Sequence, residues 1–157
     1  MTLTLITGAN KSLGLETARR LIEAGHTVYA GMRDLANGDA ARELGAHPVQ
    51  LDVTDQASVD AAFASLPDLD VLVNNAGILG TSFGVDDLST ETMAAVFDTN
   101  VLGIVRVTQA ALPALRRSAH PVIVNVASGV GWPVFSAPRD TTSSRCQPSP
   151  TRHRRPR

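Results

Sequence analysis

The chain has 157 residues, of which 43% are hydrophobic, and its formal net charge is −1 at pH 7. This length predicts one domain with a substantial core, and the near balance of charge gives no indication of a nucleic-acid or acidic partner. No apolar run reaches the roughly 20 residues of a membrane span, and no basic segment followed by an apolar run opens the chain. We therefore expect a cytoplasmic protein without a membrane segment. Cys146 is the single cysteine, so we expect neither an internal disulfide nor a cysteine metal site.

The first strand and helix are predicted to be joined by a glycine-containing turn. An apolar strand at residues 3–7 precedes the turn, and a helix at about residues 13–24 follows it. Gly8 allows the chain to leave the strand sharply, Ser12 is small enough for close backbone approach, and Gly14 lets the helix pack on the strand. The free N–H groups of the helix would face an anion, which predicts a cradle for a dinucleotide pyrophosphate. Ordinary strand-to-helix loops also contain such residues, so the turn alone does not decide.

Strands and helices alternate along the rest of the chain. Further strands are predicted at residues 27–31, 48–52, 70–74 and 122–127, and helices at 36–44, from 54 or 55 through 63, and from 89 or 90 to about 117. This alternation implies right-handed βαβ units, and hence an α/β fold with a doubly wound parallel sheet. Ligands bind at the carboxyl ends of such strands, which is where Gly8, Asp52, Asn74 and Ser128 fall.

The last predicted helix has an apolar seam and a polar residue on it. The seam is predicted to run through Met93, Phe97, Ile104, Ala111 and Leu115, with Pro113 kinking or shortening the last turns. Asn100 falls on this seam. A buried asparagine needs partners for its amide, so Asn100 is either a structural residue bonded to the backbone or an active-site residue.

The motifs at these positions resemble those of the short-chain dehydrogenase/reductase family. They are Thr7-Gly8 followed by Ser12 and Gly14, Asp52-Val53, Asn74-Asn75-Ala76-Gly77, Asn100, and Asn125-Val126-Ala127-Ser128. The resemblance covers residues 1–137, and the Asn-Asn-Ala-Gly motif is its most specific element. The family usually has Gly or Ala where this chain has Ser12.

The resemblance implies a Rossmann-like sheet that binds NAD or NADP and acts on a small-molecule carbonyl or alcohol. It implies that Asp52 and Val53 flank the adenine, and that Ser128 hydrogen-bonds the substrate carbonyl while Asn100 positions a water for proton transfer. The remaining implied cofactor-binding residues are Gly8, Asn10, Lys11, Ser12, Leu13 and Gly14 in the turn, and Asn74, Asn75, Ala76 and Gly77 beside it.

Charge near the end of the second strand indicates the cofactor. NAD sites place a carboxylate there for the ribose 2′-hydroxyl, whereas a carboxylate would repel the 2′-phosphate of NADP. Arg33 follows that strand, Asp34 lies just beyond, and Lys11 sits inside the glycine turn. Either base alone could be a solvated surface charge, but together they favour NADP, with NAD as the alternative.

The resemblance also implies a catalytic tyrosine about thirteen residues beyond Ser128 and a lysine four residues later. Tyr29 is the only tyrosine, and no lysine follows Lys11. Thr141 and Arg145 have the correct spacing, but an aliphatic hydroxyl is far too weak an acid to replace a phenol. We expect impaired catalysis by an NADP-dependent oxidoreductase. The alternative is an inactive NADP-binding fragment or regulatory module of the same fold.

The composition changes abruptly after residue 137. Residues 138–157 contain six arginines, one aspartate and four prolines, and no Val, Ile, Leu, Met or aromatic residue. This predicts a disordered tail after a dinucleotide-binding domain at 1–137; a nucleic-acid-binding arm is the disfavoured alternative. We hypothesise that the tail is a frameshift product or truncation scar. The sheet would then be incomplete at its C-terminal edge, and a homo-oligomer would lack part of the family's usual interface.

Overall fold

The computed structural model describes residues 2–80 and 89–127. Its strands are β1 (Leu3–Thr7), β2 (Thr27–Met32), β3 (His47–Gln50), β4 (Val71–Asn74) and β5 (Val122–Asn125). Its helices are α1 (Ser12–Glu23), α2 (Asp39–Glu43), α3 (Gln56–Ser65), α4 (Thr90–Phe97) and α5 (Gly103–Leu115). A 3₁₀ turn at Leu35–Asn37 precedes α2, and a π-helical turn at Asp98–Leu102 joins α4 to α5. None of the helices within the described ranges combines the length and the apolar character needed to cross a membrane.

The five strands form one parallel sheet in the order β3-β2-β1-β4-β5. In register, Leu5 of β1 lies between Tyr29 of β2 and Leu72 of β4. The chain winds outward from β1 in one direction and then returns to place β4 on its other side. The carboxyl ends of β1 and β4 therefore meet at the point where a doubly wound sheet opens a crevice. The predicted α/β fold with a doubly wound parallel sheet is confirmed.

Both faces of the sheet are covered by helices, as the apolar strands require. Leu5 and Ile6 are adjacent in β1, point to opposite faces and are both fully buried. The Leu5 side packs against α3 and α5, whereas the Ile6 side packs against α1 and α2. The hydrophobic core thus consists of two clusters, one on each face of the sheet.

Two helices begin at the positions predicted from the sequence, and each has a side-chain cap. The Asp55 carboxylate accepts a bond from the N–H of Ala57 at the start of α3, and the Ser89 hydroxyl accepts one from the N–H of Thr92 at the start of α4. Each bond satisfies a backbone donor that the helix itself leaves free.

The prediction of one continuous helix from residue 89 or 90 to about 117 is wrong at its middle. The π-helical turn interrupts it, with the N–H of Gly103 bonded to the carbonyl of Asp98, five residues back. A π turn holds one more residue than an α turn, so it rotates the following apolar positions relative to those before it. The predicted seam also fails in its first half, where no residue of α4 is buried and Met93 and Phe97 are 54% and 57% exposed. Pro113 lies inside α5, which continues to Leu115.

Strand β5 is the edge of the described sheet. It pairs with β4, and no other strand in residues 2–80 or 89–127 pairs with its outer edge. Val122, Ile123 and Val124 are 42% to 46% exposed, so both faces of this strand are open to solvent in part. The predicted bare edge is present in the described part of the sheet. The predicted boundary between residues 137 and 138 lies outside the described residues.

Asp70 joins three parts of the fold just before β4. One carboxylate oxygen accepts a bond of 2.5 Å from the Ser118 hydroxyl after α5, and the other accepts a bond of 2.8 Å from the N–H of Leu3 in β1. The Ser118 hydroxyl, followed by the Leu3 N–H, lowers the pKa of Asp70. Because both bonds favour the charged carboxylate, they stabilise the folded state above the pKa that Asp70 has in the unfolded chain, about 3.9.

We expect Asp70→Asn to lower the free energy of unfolding at pH 7. The difference from the wild type should persist down to about pH 5 and shrink as the pH falls below about 4, because the wild type then loses its charged carboxylate as well. Denaturant unfolding between pH 7 and pH 3.5 measures this. Asp60→Asn, which removes a charge on the surface of α3, is the control. A difference between wild type and Asp70→Asn that grows on acidification would contradict this assignment.

Candidate cofactor site

A cleft of about 340 Å³ opens at the carboxyl ends of β1, β2, β3 and β4. This is large enough for a small-molecule ligand. The predicted residues on its wall are Gly8, Asn10, Lys11, Ser12, Leu13, Gly14, Arg33, Asp52, Val53, Asn75, Ala76 and Gly77. The wall also contains Met32, Leu51, Thr54, Ile78 and Thr99, which the sequence analysis missed. Each of these five adjoins a predicted site residue in the chain, and that adjacency is the signal that could have found them.

The glycine turn is held against the segment that follows β4. Gly8 has a φ of +67°, and a Cβ placed on it would lie 2.9 Å from the Cα of Ala76. A Cβ on Gly14 would lie 2.5 Å from both the side-chain nitrogen of Asn75 and the carbonyl oxygen of Gly8. Any side chain at either position would push the two loops apart. These glycines therefore permit the close approach of two loops that form adjacent walls of the cleft.

Thr7 and Asn75 join these two walls by hydrogen bonds. The Thr7 hydroxyl accepts bonds from the N–H groups of Asn75, at 3.0 Å, and Ala76, at 2.9 Å. In return, the Asn75 amide donates to the carbonyls of Thr7, at 2.9 Å, and Gly8, at 3.2 Å. The two side chains thus satisfy backbone groups that the sheet no longer pairs once the strands end.

Asn74 lies beneath the cleft and is only 3% exposed. Its amide nitrogen donates to the Asn125 side-chain oxygen at 2.9 Å and to the Thr108 hydroxyl at 3.2 Å. It therefore ties the end of β4 to β5 and to α5. The structure places Asn74 as a support of the wall, behind Asn75 and the residues that face the cleft.

Asn100 lies in the π-helical turn and contacts the backbone of Ile78. Its side-chain oxygen accepts from the Ile78 N–H, and its nitrogen donates to the Ile78 carbonyl, each at 2.9 Å. These backbone contacts are the ones that the structural role predicts, and the active-site role stays a prediction. They fix the loop after β4 against the turn that also carries Thr99 on the cleft wall.

The N-terminus of α1 faces the cleft with its N–H groups available. Its capping position is Lys11, which makes no capping hydrogen bond through its side chain, and the first turn contains no acidic residue. This differs from α3 and α4, which aspartate and serine cap. Lys11 and Arg33 are exposed and both line the cleft. The helix dipole and two cations thus give this wall a positive potential.

The carboxylates near the cleft are already engaged. Asp34, just after β2, accepts bonds from the N–H of Ala36 at 2.9 Å and from Asn37, and so begins the 3₁₀ turn. Asp52 lines the cleft, and one of its oxygens accepts from the N–H and the hydroxyl of Thr54, at 2.9 Å and 2.7 Å. Within residues 2–80 and 89–127, no group of three or more His, Cys, Asp or Glu side chains could hold a metal ion.

Ser12 adopts a left-handed backbone conformation, with a φ of +51°. It is the only residue other than glycine in the described ranges with a positive φ. Such a conformation costs about 1 kcal/mol for a residue with a Cβ. The small side chain of Ser12 fits the predicted close approach of the backbone. The left-handed backbone conformation is a second demand on this position, which glycine meets without strain.

Neither the predicted substrate-binding serine nor the chain's single tyrosine is among the described residues of the cleft wall. Ser128 lies outside the described residues. Tyr29 lies on β2, half-buried, with its ring 5.2 Å from that of His47, and it packs against the core on the α3 and α5 side of the sheet. Tyr29 is therefore not on the cleft wall.

Known proteins are similar in sequence to this chain over most of its length. A family model described as short chain dehydrogenase matches residues 2–138. The chain is 37% identical over 137 residues to the NADP-dependent 3-hydroxy acid dehydrogenase YdfG of Escherichia coli (strain K12), covering 82% of this chain and 55% of that protein. It is 36% identical over 132 residues to the serine 3-dehydrogenase of Agrobacterium fabrum, covering 79% of this chain and 52% of that protein.

Solved structures show the same likeness. The closed form of serine dehydrogenase complexed with NADP⁺ superposes with a TM-score of 0.78 at 36% identity, covering 84% of this chain and 56% of that one. A crystal structure of serine dehydrogenase from Escherichia coli gives a TM-score of 0.74 at 36% identity, covering 81% and 62%. The chain thus spans about half the length of the curated relatives it matches.

The hydrogen bonds of Thr7 can be tested by removing its hydroxyl. Thr7→Val keeps the shape of the side chain but leaves two backbone N–H groups without their acceptor. We expect a loss of about 2 kcal/mol in the free energy of unfolding, measured by urea denaturation. The control is Thr4→Val in the same strand, where the hydroxyl bonds the half-buried ring of His26 instead of the backbone. An equal loss in both variants would show that the Thr7 bonds have no special weight.

The strain at Ser12 predicts a difference between two small substitutions. Ser12→Gly accepts a positive φ without strain, whereas Ser12→Ala retains the Cβ and the strain. Both variants lack the hydroxyl. We therefore expect Ser12→Gly to be more stable than Ser12→Ala by about 0.5 kcal/mol in thermal or denaturant unfolding, because the extra chain entropy of glycine offsets part of the strain of about 1 kcal/mol. Equal stability of the two variants would contradict the left-handed conformation.

Proposed function

Because this chain belongs to the short-chain dehydrogenase family, we propose that it binds NADP in the cleft at the carboxyl ends of the strands. The observation that carries this proposal is the positive wall of the cleft, where the uncapped N-terminus of α1 meets Lys11 and Arg33. A dinucleotide carries its negative charge on the pyrophosphate, and NADP adds a dianionic 2′-phosphate. Cations and free N–H groups on one wall are the chemistry that such a ligand requires.

The choice of NADP over NAD rests on the end of β2. An NAD site would offer a free carboxylate to the ribose 2′-hydroxyl, but the Asp34 carboxylate caps the 3₁₀ turn and does not line the cleft. Arg33 does line it, and its planar fork suits a phosphate. The printed names of one relative and one solved structure, NADP-dependent and complexed with NADP⁺, support the same choice.

The described residues fit the parts of this cofactor. Gly8 to Gly14 would hold the pyrophosphate, with Asn10 and Leu13 on the same turn. Asp52 and Val53 would flank the adenine, and Asn75 to Gly77 would form the wall beside the nicotinamide, supported from behind by Asn74. The close packing at Gly8 and Gly14 keeps these walls together, so the cleft is already formed by the protein's own contacts.

We propose hydride transfer between NADP and a small-molecule carbonyl or alcohol as the reaction of the whole protein. NADPH, when bound, supplies the hydride. Ser128 would hydrogen-bond the substrate carbonyl. Asn100 would fix the loop at Ile78 through its two backbone bonds and would also position a water for proton transfer. A proton must also reach the alkoxide oxygen. Neither the phenol nor the lysine that the family uses for this is present, because Tyr29 packs in the core and no lysine follows Lys11.

This missing pair favours a second function, an NADP-binding module without turnover. The cleft wall is formed by residues between Gly8 and Thr99, and none of them depends on the absent tyrosine. Binding would therefore persist where proton transfer fails. We also propose the cytoplasm as the location, and residues 1–137 and 138–157 as binding domain and tail.

Two measurements separate these functions. NADPH fluorescence reports binding, and absorbance at the nicotinamide band reports oxidation with a panel of small carbonyl compounds. Binding without oxidation supports the module. Oxidation that disappears in Ser128→Ala supports the enzyme, and absence of binding would overturn both.

The assignment of the 2′-phosphate to Lys11 and Arg33 predicts a change in cofactor preference. Each of Lys11→Gln and Arg33→Gln should weaken NADP binding by about tenfold, because a charge-assisted hydrogen bond is worth about 1.5 kcal/mol or more. NAD, which lacks the phosphate, should lose much less. Arg20→Gln, an exposed arginine on α1, is the matched control. Equal losses for NADP and NAD would remove these residues from the phosphate site.

A further inference from the structure

We propose that Arg106 is a positioning residue that holds two walls of the cleft at their working separation. One wall is the turn after β3 that carries Val53. The other is the π-helical turn Asp98–Leu102, which carries Thr99. Val53 and Thr99 both line the cleft, although 46 positions separate them in the chain. The inference rests on the proposed function in one respect, the identity of NADP as the ligand.

The guanidinium of Arg106 contacts both walls at once. Its Nη2 donates to the Asp98 carboxylate at 2.7 Å, and its Nη1 donates to the Val53 carbonyl at 3.3 Å. Nη1 also lies 3.5 Å from the Asp98 carbonyl, which is the carbonyl that accepts the π-type bond from Gly103. One rigid planar group thus spans a backbone carbonyl on the first wall and a carboxylate on the second.

Packing makes this distance sensitive to the arginine. A Cβ placed on Gly103 would lie 2.8 Å from the Cγ2 of Val53, so α5 begins in direct contact with the first wall. Gly103 and Val53 are both buried, and Arg106 follows Gly103 by one helical turn. The helix therefore presses on Val53 from one side while its next turn bonds the Val53 carbonyl. Without the bond from Arg106 to the Val53 carbonyl, the packing of Gly103 on Val53 would no longer fix the orientation of the turn after β3.

The residue type matters because the two acceptors are separate. Arginine places several N–H donors in one fixed plane, whereas a lysine ammonium is a single point that can serve one acceptor well. The Arg106 side chain is 25% exposed and that of Asp98 is 37% exposed. Solvent screening therefore reduces the energy of the ion pair itself. The geometric effect on the cleft should exceed the effect on global stability.

Arg117 provides a control in the turn that follows the C-terminal end of α5. Its guanidinium also bonds one aspartate, Asp68, and one backbone carbonyl, that of Pro113. Neither Asp68 nor Pro113 lines the cleft. Arg106→Met and Arg117→Met therefore each remove one aspartate contact and one contact to a backbone carbonyl, the first at the cleft wall and the second away from it.

The first experiment measures NADPH affinity by fluorescence titration of the full chain, with thermal unfolding of each variant alongside. We expect Arg106→Met to weaken binding by about fivefold or more, with Arg117→Met within about twofold of the wild type, at similar melting temperatures. Arg106→Lys should fall between wild type and Arg106→Met. Equal affinities of Arg106→Met and Arg117→Met would overturn the inference while leaving the proposed function intact.

The second experiment needs no cofactor. Amide hydrogen exchange should accelerate in Arg106→Met at two separate segments, residues 52–54 and 98–102, and at neither in Arg117→Met. If Arg106→Met fails to fold, Arg106→Lys and Asp98→Asn give the same readout with smaller changes. Unchanged exchange at residues 52–54 would overturn the inference. If the wild type does not bind NADPH but Arg106→Met shows faster exchange at both segments, the proposed function is overturned and the positioning role of Arg106 stands.

Discussion

The cleft depends on how β1 and β4 separate at their carboxyl ends. Two adjacent parallel strands that diverge leave backbone donors and acceptors without ladder partners, and such groups are costly to bury unpaired. The Thr7 hydroxyl accepts from two N–H groups after β4, and the Asn75 amide donates to two carbonyls after β1. These four bonds replace the ladder beyond the last strand pair. They allow a glycine turn to lie open to a ligand while its backbone remains anchored.

The sequence indicated the strand ends well because buried parallel strands are continuous apolar runs with sharp limits. Strand β1 has the predicted bounds, and the predicted turn, Arg33, the Asp52-Val53 pair and Asn75 to Gly77 converge on one cleft. The long-range hydrogen bonds were not visible in the sequence: the bond from Asn74 to Asn125 joins residues 51 positions apart and follows only from the pairing of β4 with β5. The Asp34 cap is local, since it joins residues two positions apart, but several conformations are open to such a short segment and the fold selects one of them.

The π-helical turn explains why periodicity failed where it did. A pattern of apolar residues reports a helix face only while the number of residues per turn is constant. One extra residue at Asp98–Leu102 rotates α5 relative to α4 and breaks the common register of the two helices. Val107 and Ala111 of α5 are fully buried, whereas α4 has no buried residue and its Phe97 is 57% exposed. The same insertion turns the Asn100 amide toward the Ile78 backbone. The π-helical turn that interrupts the apolar pattern thus also carries Thr99 on the cleft wall. Local sequence rules commonly fail at functional sites.

Binding and turnover can be separated in this fold because they use different parts of the sheet. Within residues 2–80 and 89–127, the cleft wall is formed by residues between Gly8 and Thr99, and the Asn74 bonds that support it reach Asn125 and Thr108. The proposed proton transfer instead requires groups that would follow Ser128, where the sequence contains neither tyrosine nor lysine. The proposed dinucleotide site, with α1, Lys11 and Arg33 on its wall, therefore does not depend on those groups. In this proposal the cleft residues bear on the ligand class, and the segment after β5 bears on the reaction.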